Sequence, residues 1–485
     1  MQLQITTICF LILSFLLFTI ASGKLRKYIL LILSVAFIYW QGKSFGIITL
    51  TIISLISFLC GHFVSFFQKR KCITAENISA AFGITLLAAV LFGWKYMFFV
   101  ASISGIEIPE TVKSAGLPIG LSFYTFQAIS YIADVKEKKL EAVNNPFVFA
   151  LYMMWFPKWI SGPIERAGDF IDKLDTIEKA KIFDFDRIIR VLSFLLFGLF
   201  MKLVIADRVG IVVDKVFEAP SEYGSLVLIL ASLLYTIQIY CDFAGYTNMV
   251  IGISYMFGIG LTQNFRTPYF AENIVLFWRG WHISLSNFLR DYIYIPLGGN
   301  RRGDFRKALN IMIVFLVCGM WHGAGFTFII WGIFHGLMNV ITNGLIKSRA
   351  SFLVKGMTGR IISFFLVSFA WIFFRASTLS QAFLFIKGVI PFGGMQGIRG
   401  GFEMEDNLII GISRIEWWIV GLSIVFLTIM DGIAYKKKSI PPELFISKWG
   451  DFSRGLMFVF LALMVLIFGR YGAGEEIRSF VYAQF

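Results

Sequence analysis

The sequence predicts an all-α polytopic membrane protein, and three observations carry that prediction. Hydrophobic residues make up 57% of the 485 residues and charged residues only 15%, whereas a soluble domain carries about 25% charge. Mean hydropathy is +0.75. Apolar stretches close to the length of a spanning helix, about 20 residues, recur from one end of the chain to the other. The 54 phenylalanines suit lipid-facing surfaces and interfacial belts. Disordered, collagenous and disulfide-scaffold classes are excluded by the same composition.

The candidate spans run 5–22, 28–42, 45–67, 80–102, 117–134, 146–162, 188–207, 224–260 (read as two elements), 274–297, 308–345 (two elements with a glycine break), 360–378, 416–434 and 455–470. Several are short or carry charge, so about 11 full crossings are expected, with re-entrant, buried and interfacial helices making up the remainder. Residues 165–187 differ. Phe170, Ile171, Leu174 and Ile177 recur at helical spacing among Asp169, Asp172, Lys173, Asp175, Glu178 and Lys179, which predicts an amphipathic helix on the cytoplasmic face. Without repeats, low-complexity stretches or a soluble segment, the chain reads as one membrane domain over 1–485. Its N-terminal spans occupy 1–116, a motif-bearing core 117–345 and C-terminal spans 346–485.

Charge sets the expected orientation. Lys24, Arg26 and Lys27 follow the first stretch; Lys69, Arg70 and Lys71 follow the third; Lys136, Lys138 and Lys139 follow the fifth. Arg301, Arg302, Arg306 and Lys307 lie mid-chain, and Lys436, Lys437 and Lys438 near the end. Placing all five clusters in the cytoplasm puts the N-terminus outside. That distribution also accounts for the net charge of +14 without nucleic acid, because no basic stripe interleaves with aromatics outside apolar context. The five cysteines show no CxxC and no zinc-ligand spacing, so neither disulfides nor a metal is expected. The first stretch lacks a basic n-region and an A-x-A site and reads as a retained span.

Charged and polar residues within spans are costly and usually functional, and this chain concentrates them. Residues 238–248 read QIYCDFAGYTN, with Asp242 and Tyr246; residues 277–303 read FWRGWHISLSNFLRDYIYIPLGGNRRG; residues 318–336 read CGMWHGAGFTFIIWGIFHG. Three of the four histidines, His282, His322 and His335, lie in the last two segments. Histidine accepts and returns a proton near neutral pH. Gly319, Gly323 and Gly325 predict a helix break at His322, where a side chain can point into a cavity. His322 is therefore the expected catalytic residue, with His282 as a further site residue and His335 as a packing residue. His62, alone in the third stretch, reads as packed or interfacial. Arg279, Arg290 and Asp291 either support the site or pair with one another; Trp278, Trp281 and Trp321 either line it or anchor the chain to lipid. No GxSxG, P-loop or GxGxxG with a following acid is present.

At these residues the chain resembles the membrane-bound O-acyltransferase (MBOAT) family, in its bacterial alginate O-acetylase branch. The resemblance runs through LPIGLSFYTFQAISYIADV (117–135), FPKWISGPIERAGDF (156–170), QIYCDFAGYTNMVIG (238–252), NFRTPYFAENIVLFWRGWHISLSNFLRDYIYIPLGGNRRG (264–303), MWHGAGFTFIIWGIFHG (320–336) and the terminal FVYAQF (480–485). Two positions depart from the family pattern: Gly280 stands where a basic residue is usual, and Asn248 where an acid is usual.

The resemblance implies a multi-helix fold around a central funnel, with the histidine of the WHG motif, His322, catalytic and His282 in the companion position. It implies a bacterial inner-membrane O-acetyltransferase. Such a protein moves acetyl from a cytoplasmic donor, acetyl-CoA, to hydroxyls of an exported polysaccharide such as alginate, or to a lipid-linked acceptor. No cofactor beyond that donor is implied. The expected partner is a periplasmic or extracellular SGNH-type acetyltransferase. Related branches act on peptidoglycan or cellulose, or move D-alanine to teichoic acid. A thioester is already activated, so such a protein need only position two reactants and manage one proton. A transporter or flippase without chemistry fits the architecture too, although no inverted halves are visible and acids within spans are few; a structural scaffold needs no histidine.

Overall fold

The computed structural model describes residues 5–178, 184–390, 404–405, 408–437, 441–471 and 480. Lys179, Lys438 and all of the terminal FVYAQF run except Phe480 lie outside the described residues. Eight described helices are long and apolar enough to cross a membrane. The chain clusters into two compact units, Met1–Val191 with Val250–Gln263, and Leu192–Met249 with Asn264–Phe485.

In the first unit, α1 (Ile5–Ile20), α2 (Leu25–Lys69) and α3 (Ile73–Ser104) form a hairpin-like series. The 45 residues of α2 amount to about 67 Å, roughly twice a bilayer core. Lys43, at φ 52° and ψ −164°, breaks it, so the stretches 28–42 and 45–67 are two halves of one kinked helix. After the short α4 (Glu110–Ala115), α5 (Leu121–Lys136) is buried along its whole length to Val135, polar residues Thr125, Gln127, Ser130 and Asp134 included. Small residues allow its approach to α2: a Cβ on Gly61 would sit 2.5 Å from the Tyr131 ring. His62 hydrogen-bonds the Phe58 carbonyl at 3.0 Å and packs on its ring.

The stretch 146–162 is not a span. Asn145 caps α6 (Pro146–Met154) by accepting the amides of Phe147 and Val148. The chain then leaves the helix at Trp155, whose Nε1 donates to Ser254 Oγ at 2.9 Å. Glu165 is fully buried; its carboxylate accepts the Thr262 amide at 2.5 Å and Lys173 Nζ at 3.5 Å. The amphipathic segment forms α7 (Ala167–Ile177), with Phe170, Leu174 and Ile177 buried. Its apolar stripe is taken up by protein rather than by a lipid surface: Phe170 packs on Tyr152 and Trp155. Lys27 pairs with Asp175 and Glu178 at its far end. Hydrophobic spacing alone does not distinguish the two partners, since both are apolar.

The second unit takes up the chain within α8 (Phe185–Leu199). A π-helical segment, Phe200–Ala206, joins α8 to α9 (Asp207–Glu218). The extra residue per turn accompanies a buried triad in which Lys202 Nζ lies 2.5 Å from Asp242 and 2.8 Å from Asp207. α10 (Ser225–Met256) is one helix of 32 residues, not two. Gly245 is used for close packing rather than for a break: its Cβ would meet the Gly198 carbonyl at 2.8 Å, and Gly198 is tight against Gly245 in turn. The helix ends instead before Gly258, at φ 83°.

The stretch 274–297 is likewise no span but two helices of seven residues, α11 (Ile274–Gly280) and α12 (Ile283–Leu289). A π segment, Arg290–Tyr294, and a turn at Gly298 and Gly299 follow. α13 (Gly303–His322) and α14 (Phe326–Ile346) flank the expected break at residues 323–325. They touch backbone to backbone: a Cβ on Gly319 would lie 2.3 Å from the Phe328 carbonyl, and one on Gly332 2.4 Å from that of Phe315. α15 (Gly356–Arg375) follows, then α16 (Leu379–Val389), which the span reading did not anticipate.

The all-α expectation also omits a small antiparallel sheet, β1 (Met404–Glu405), β2 (Leu408–Ile409) and β3 (Ile412–Ser413). Ser413 and Glu416 form a capping box that opens α17 (Arg414–Lys436). After α18 (Pro442–Ile446), α19 (Asp451–Phe468) closes the described helices. The outward residues Trp418, Leu422 and Val425 of α17 and Leu463 and Leu466 of α19 are exposed, as lipid-facing positions are.

Candidate active site

The site lies in the second unit. His322 is the last residue of α13, and Gly323, in extended backbone, ends the helix there. His282 stands immediately before α12 in a left-handed conformation, φ 43° and ψ 56°. Both histidines are buried, at 3% and 0% exposure. Their ring centroids are 6.5 Å apart, with planes inclined by 59°.

Aromatic rings wall the pair. Trp321, Trp331 and Phe374 lie 4.9, 5.1 and 5.2 Å from His322. Phe243 and Trp321 lie 4.8 and 5.9 Å from His282. Trp278, Trp281 and Trp321 are all buried, so none of the three anchors the chain to lipid. Trp281 stacks on Phe277 and touches Trp371 and Phe265. His335 belongs to the next layer: it is fully buried, accepts the Trp278 indole N–H at Nδ1 (3.2 Å) and contacts Trp331 at 4.8 Å. One ring, Trp331, thus touches both His335 and His322.

The remaining candidates fall into three places. Asp242 is buried in the ion triad with Lys202 and Asp207. Tyr246, one helical turn on, stacks on Phe480 at 4.5 Å, and Phe480 touches Phe243 beside His282. Arg290 pairs with Asp291 at 2.7 Å. Arg279 and Arg290 both line a half-open cavity of about 710 Å³, together with Arg266, Lys307, Ser286, Asn287 and Tyr294. Trp278 and Ile283, the residue after His282, are also in its wall. Arg301, Arg302 and Arg306 are not among its lining. Among the described residues, no cluster of three or more His, Cys, Asp or Glu could hold a metal ion.

The two departures from the motif pattern have local causes. A Cβ on Gly280 would lie 2.6 Å from the Arg266 carbonyl, so a side chain does not fit without moving backbone. Asn248 donates from Nδ2 to the buried Glu443 carboxylate; an acid at 248 would set two carboxylates against each other.

Sequence reading missed Arg266, Asn264, Phe243, Trp331 and Phe374. Arg266 and Asn264 sit in the NFRTPYF run without any charge pattern of their own. The aromatics look like any other apolar residue in a span.

Residues 37–384 match the MBOAT, membrane-bound O-acyltransferase family. The probable alginate O-acetylase AlgI of Pseudomonas aeruginosa is 33% identical over 391 residues, 78% of this chain and 72% of its own. A peptidoglycan O-acetyltransferase of Helicobacter pylori is 35% identical over 305 residues, 58% of each chain. A teichoic acid D-alanyltransferase of Bacillus subtilis is 27% identical over 236 residues, 46% of this chain and 58% of its own. Its helices, its motifs and the extent of these matches make this chain a multi-pass acyltransferase of the membrane-bound O-acyltransferase family.

Proposed function

We propose that the protein transfers an acetyl group from acetyl-CoA, supplied from the cytoplasm, toward hydroxyls of an exported polysaccharide. His322 is the general base and His282 its companion. The observation that carries this reading is the 6.5 Å pairing of two buried imidazoles inside an aromatic enclosure. The acetyl carbonyl occupies the space between them. As the acceptor oxygen attacks the carbonyl carbon, His322 takes the hydroxyl proton. The C–S bond then breaks and the proton passes to the leaving thiolate, so the cycle releases no net proton. His282 steadies the carbonyl oxygen. Surrounding aromatics keep water from the thioester. Base catalysis of this kind contributes about 10²–10⁴-fold.

The cationic cavity supports the anionic donor. Arg266, Arg279, Arg290 and Lys307 line it, and a charged nucleotide cannot enter the apolar interior, whereas its acyl-pantetheine arm can. The basic clusters support a cytoplasmic mouth, a bacterial inner-membrane location and an external N-terminus. The names of the alginate and peptidoglycan relatives support a polysaccharide acceptor, reached directly or through an SGNH-type partner outside. The deciding experiment is His322→Ala in the host strain, with the ester-linked acetate of exported polymer measured. Loss of acetate with normal protein level supports the reading; wild-type acetate refutes it.

A further inference from the structure

His282 holds a backbone conformation that residues with a side chain rarely adopt, φ 43° and ψ 56°, so something must impose it. Its own side chain does not cap the helix that follows. That task falls to Asn264. The Ile283 amide donates to the Asn264 carbonyl at 3.0 Å, and the Ser284 amide donates to Asn264 Oδ1 at 3.1 Å. Asn264 is 1% exposed, so water does not compete for these bonds.

On the other side of His282, the Arg266 amide donates to the Gly280 carbonyl at 2.9 Å. The strap 264–266 therefore brackets His282 by hydrogen bonds to residues 280, 283 and 284. Its next residue, the buried and β-branched Thr267, is itself left-handed at φ 42°. Two strained residues at one bracket indicate a geometry that its surroundings over-determine.

We infer that Asn264 is a positioning residue for the acyl transfer: it caps α12 in place of His282 and so leaves the His282 ring turned toward Trp321 and His322. This rests on the reading of the histidine pair given above. An amide carbonyl is what the position needs, because the bond to Ser284 uses only Oδ1. Nδ2, also buried, has no hydrogen-bond partner among the described residues.

The test uses the full-length protein in vesicles, with acetyl-CoA as donor and host exopolysaccharide as acceptor, and thiol release as the readout. Asn264→Ala should lower kcat about 10–100-fold, with the KM for acetyl-CoA unchanged within about twofold, since it disturbs the reacting geometry and not the donor cavity. Asn264→Asp keeps the accepting oxygen and should recover most of kcat. Its added negative charge should move the acidic limb of the pH–rate profile to higher pH, because it favours the protonated form of the histidine pair and the base His322 must be neutral to take the hydroxyl proton. In a His282→Ala background, Asn264→Ala should cost less than about twofold more.

Wild-type kcat in Asn264→Ala overturns the proposal, as does a folded Asn264→Asp as slow as the alanine variant. If Asn264→Ala is not recovered as a monodisperse protein, the rate and pH profile of Asn264→Asp decide alone. A fully active His282→Ala overturns the reading of the histidine pair and this inference with it. An inactive His282→Ala beside a fully active Asn264→Ala overturns only the inference.

Discussion

The imidazoles of His282 and His322 lie with their centres 6.5 Å apart and their planes inclined by 59°, with the Trp321 ring 5.9 Å from the first and 4.9 Å from the second. Neither imidazole is in the wall of the cationic cavity, which instead includes Arg266, Arg279, Arg290 and Lys307.

That arrangement separates proton transfer from donor binding. His322→Ala should reduce kcat by about 10²–10⁴-fold while leaving the acetyl-CoA KM nearly unchanged. Steady-state thiol release over a range of acetyl-CoA concentrations measures both; a variant that fails only through KM would remove His322 from the proton-transfer role.

The cationic cavity predicts the opposite signature. Arg266→Gln and Arg279→Gln should each raise the acetyl-CoA KM about 5–10-fold with kcat retained, as expected for losing one charge-assisted contact to phosphate. Added salt should weaken donor binding in the wild type and less so in the variants. Salt dependence that is identical in all three proteins would argue that the cavity does not hold the donor.

His335 is expected to matter for stability rather than for chemistry. His335→Phe keeps the aromatic packing but strands the buried Trp278 N–H that Nδ1 accepts at 3.2 Å, at a cost of about 1–3 kcal/mol. Thermal unfolding in detergent should show a lower Tm. Activity per folded molecule should fall by less than about threefold, which a catalytic His335 would not allow.

Gly332 tests the contact that carries His322. A Cβ there would lie 2.4 Å from the Phe315 carbonyl, and a backbone oxygen cannot swing aside as a flexible side chain can. Gly332→Ala should therefore cost about 1–3 kcal/mol by overpacking, read as a lower Tm, whereas Gly344→Ala, which meets nothing within 4 Å, should leave Tm unchanged. Equal melting temperatures for the two would contradict the close α13–α14 contact.

Orientation is open to direct labelling. With the basic clusters inside, Gln2→Cys should react with an impermeant thiol reagent in intact cells and Lys69→Cys should not. The reverse pattern would invert the topology.

The sequence by itself determined the membrane class, most of the spans and the segments that carry the histidines. These are local properties: an apolar run of bilayer length is required wherever backbone meets lipid, and Gly323 to Gly325 break a helix by their own composition. The tertiary structure alone decided what apolar and polar residues face. Lipid and protein interior are alike in hydropathy, so spacing could not assign the stripe of α7 to protein, bury Trp278, Trp281 and Trp321, or show that α10 runs unbroken through Gly245. Nor could it find Asn264 and Arg266, whose partners Gly280, Ile283 and Ser284 lie at the end of α11 and beyond it in the chain. The separation of the rings was decided in the same way: with His282 in its left-handed turn, its ring lies 6.5 Å from that of His322, whereas His335 shares with His322 the contact to Trp331.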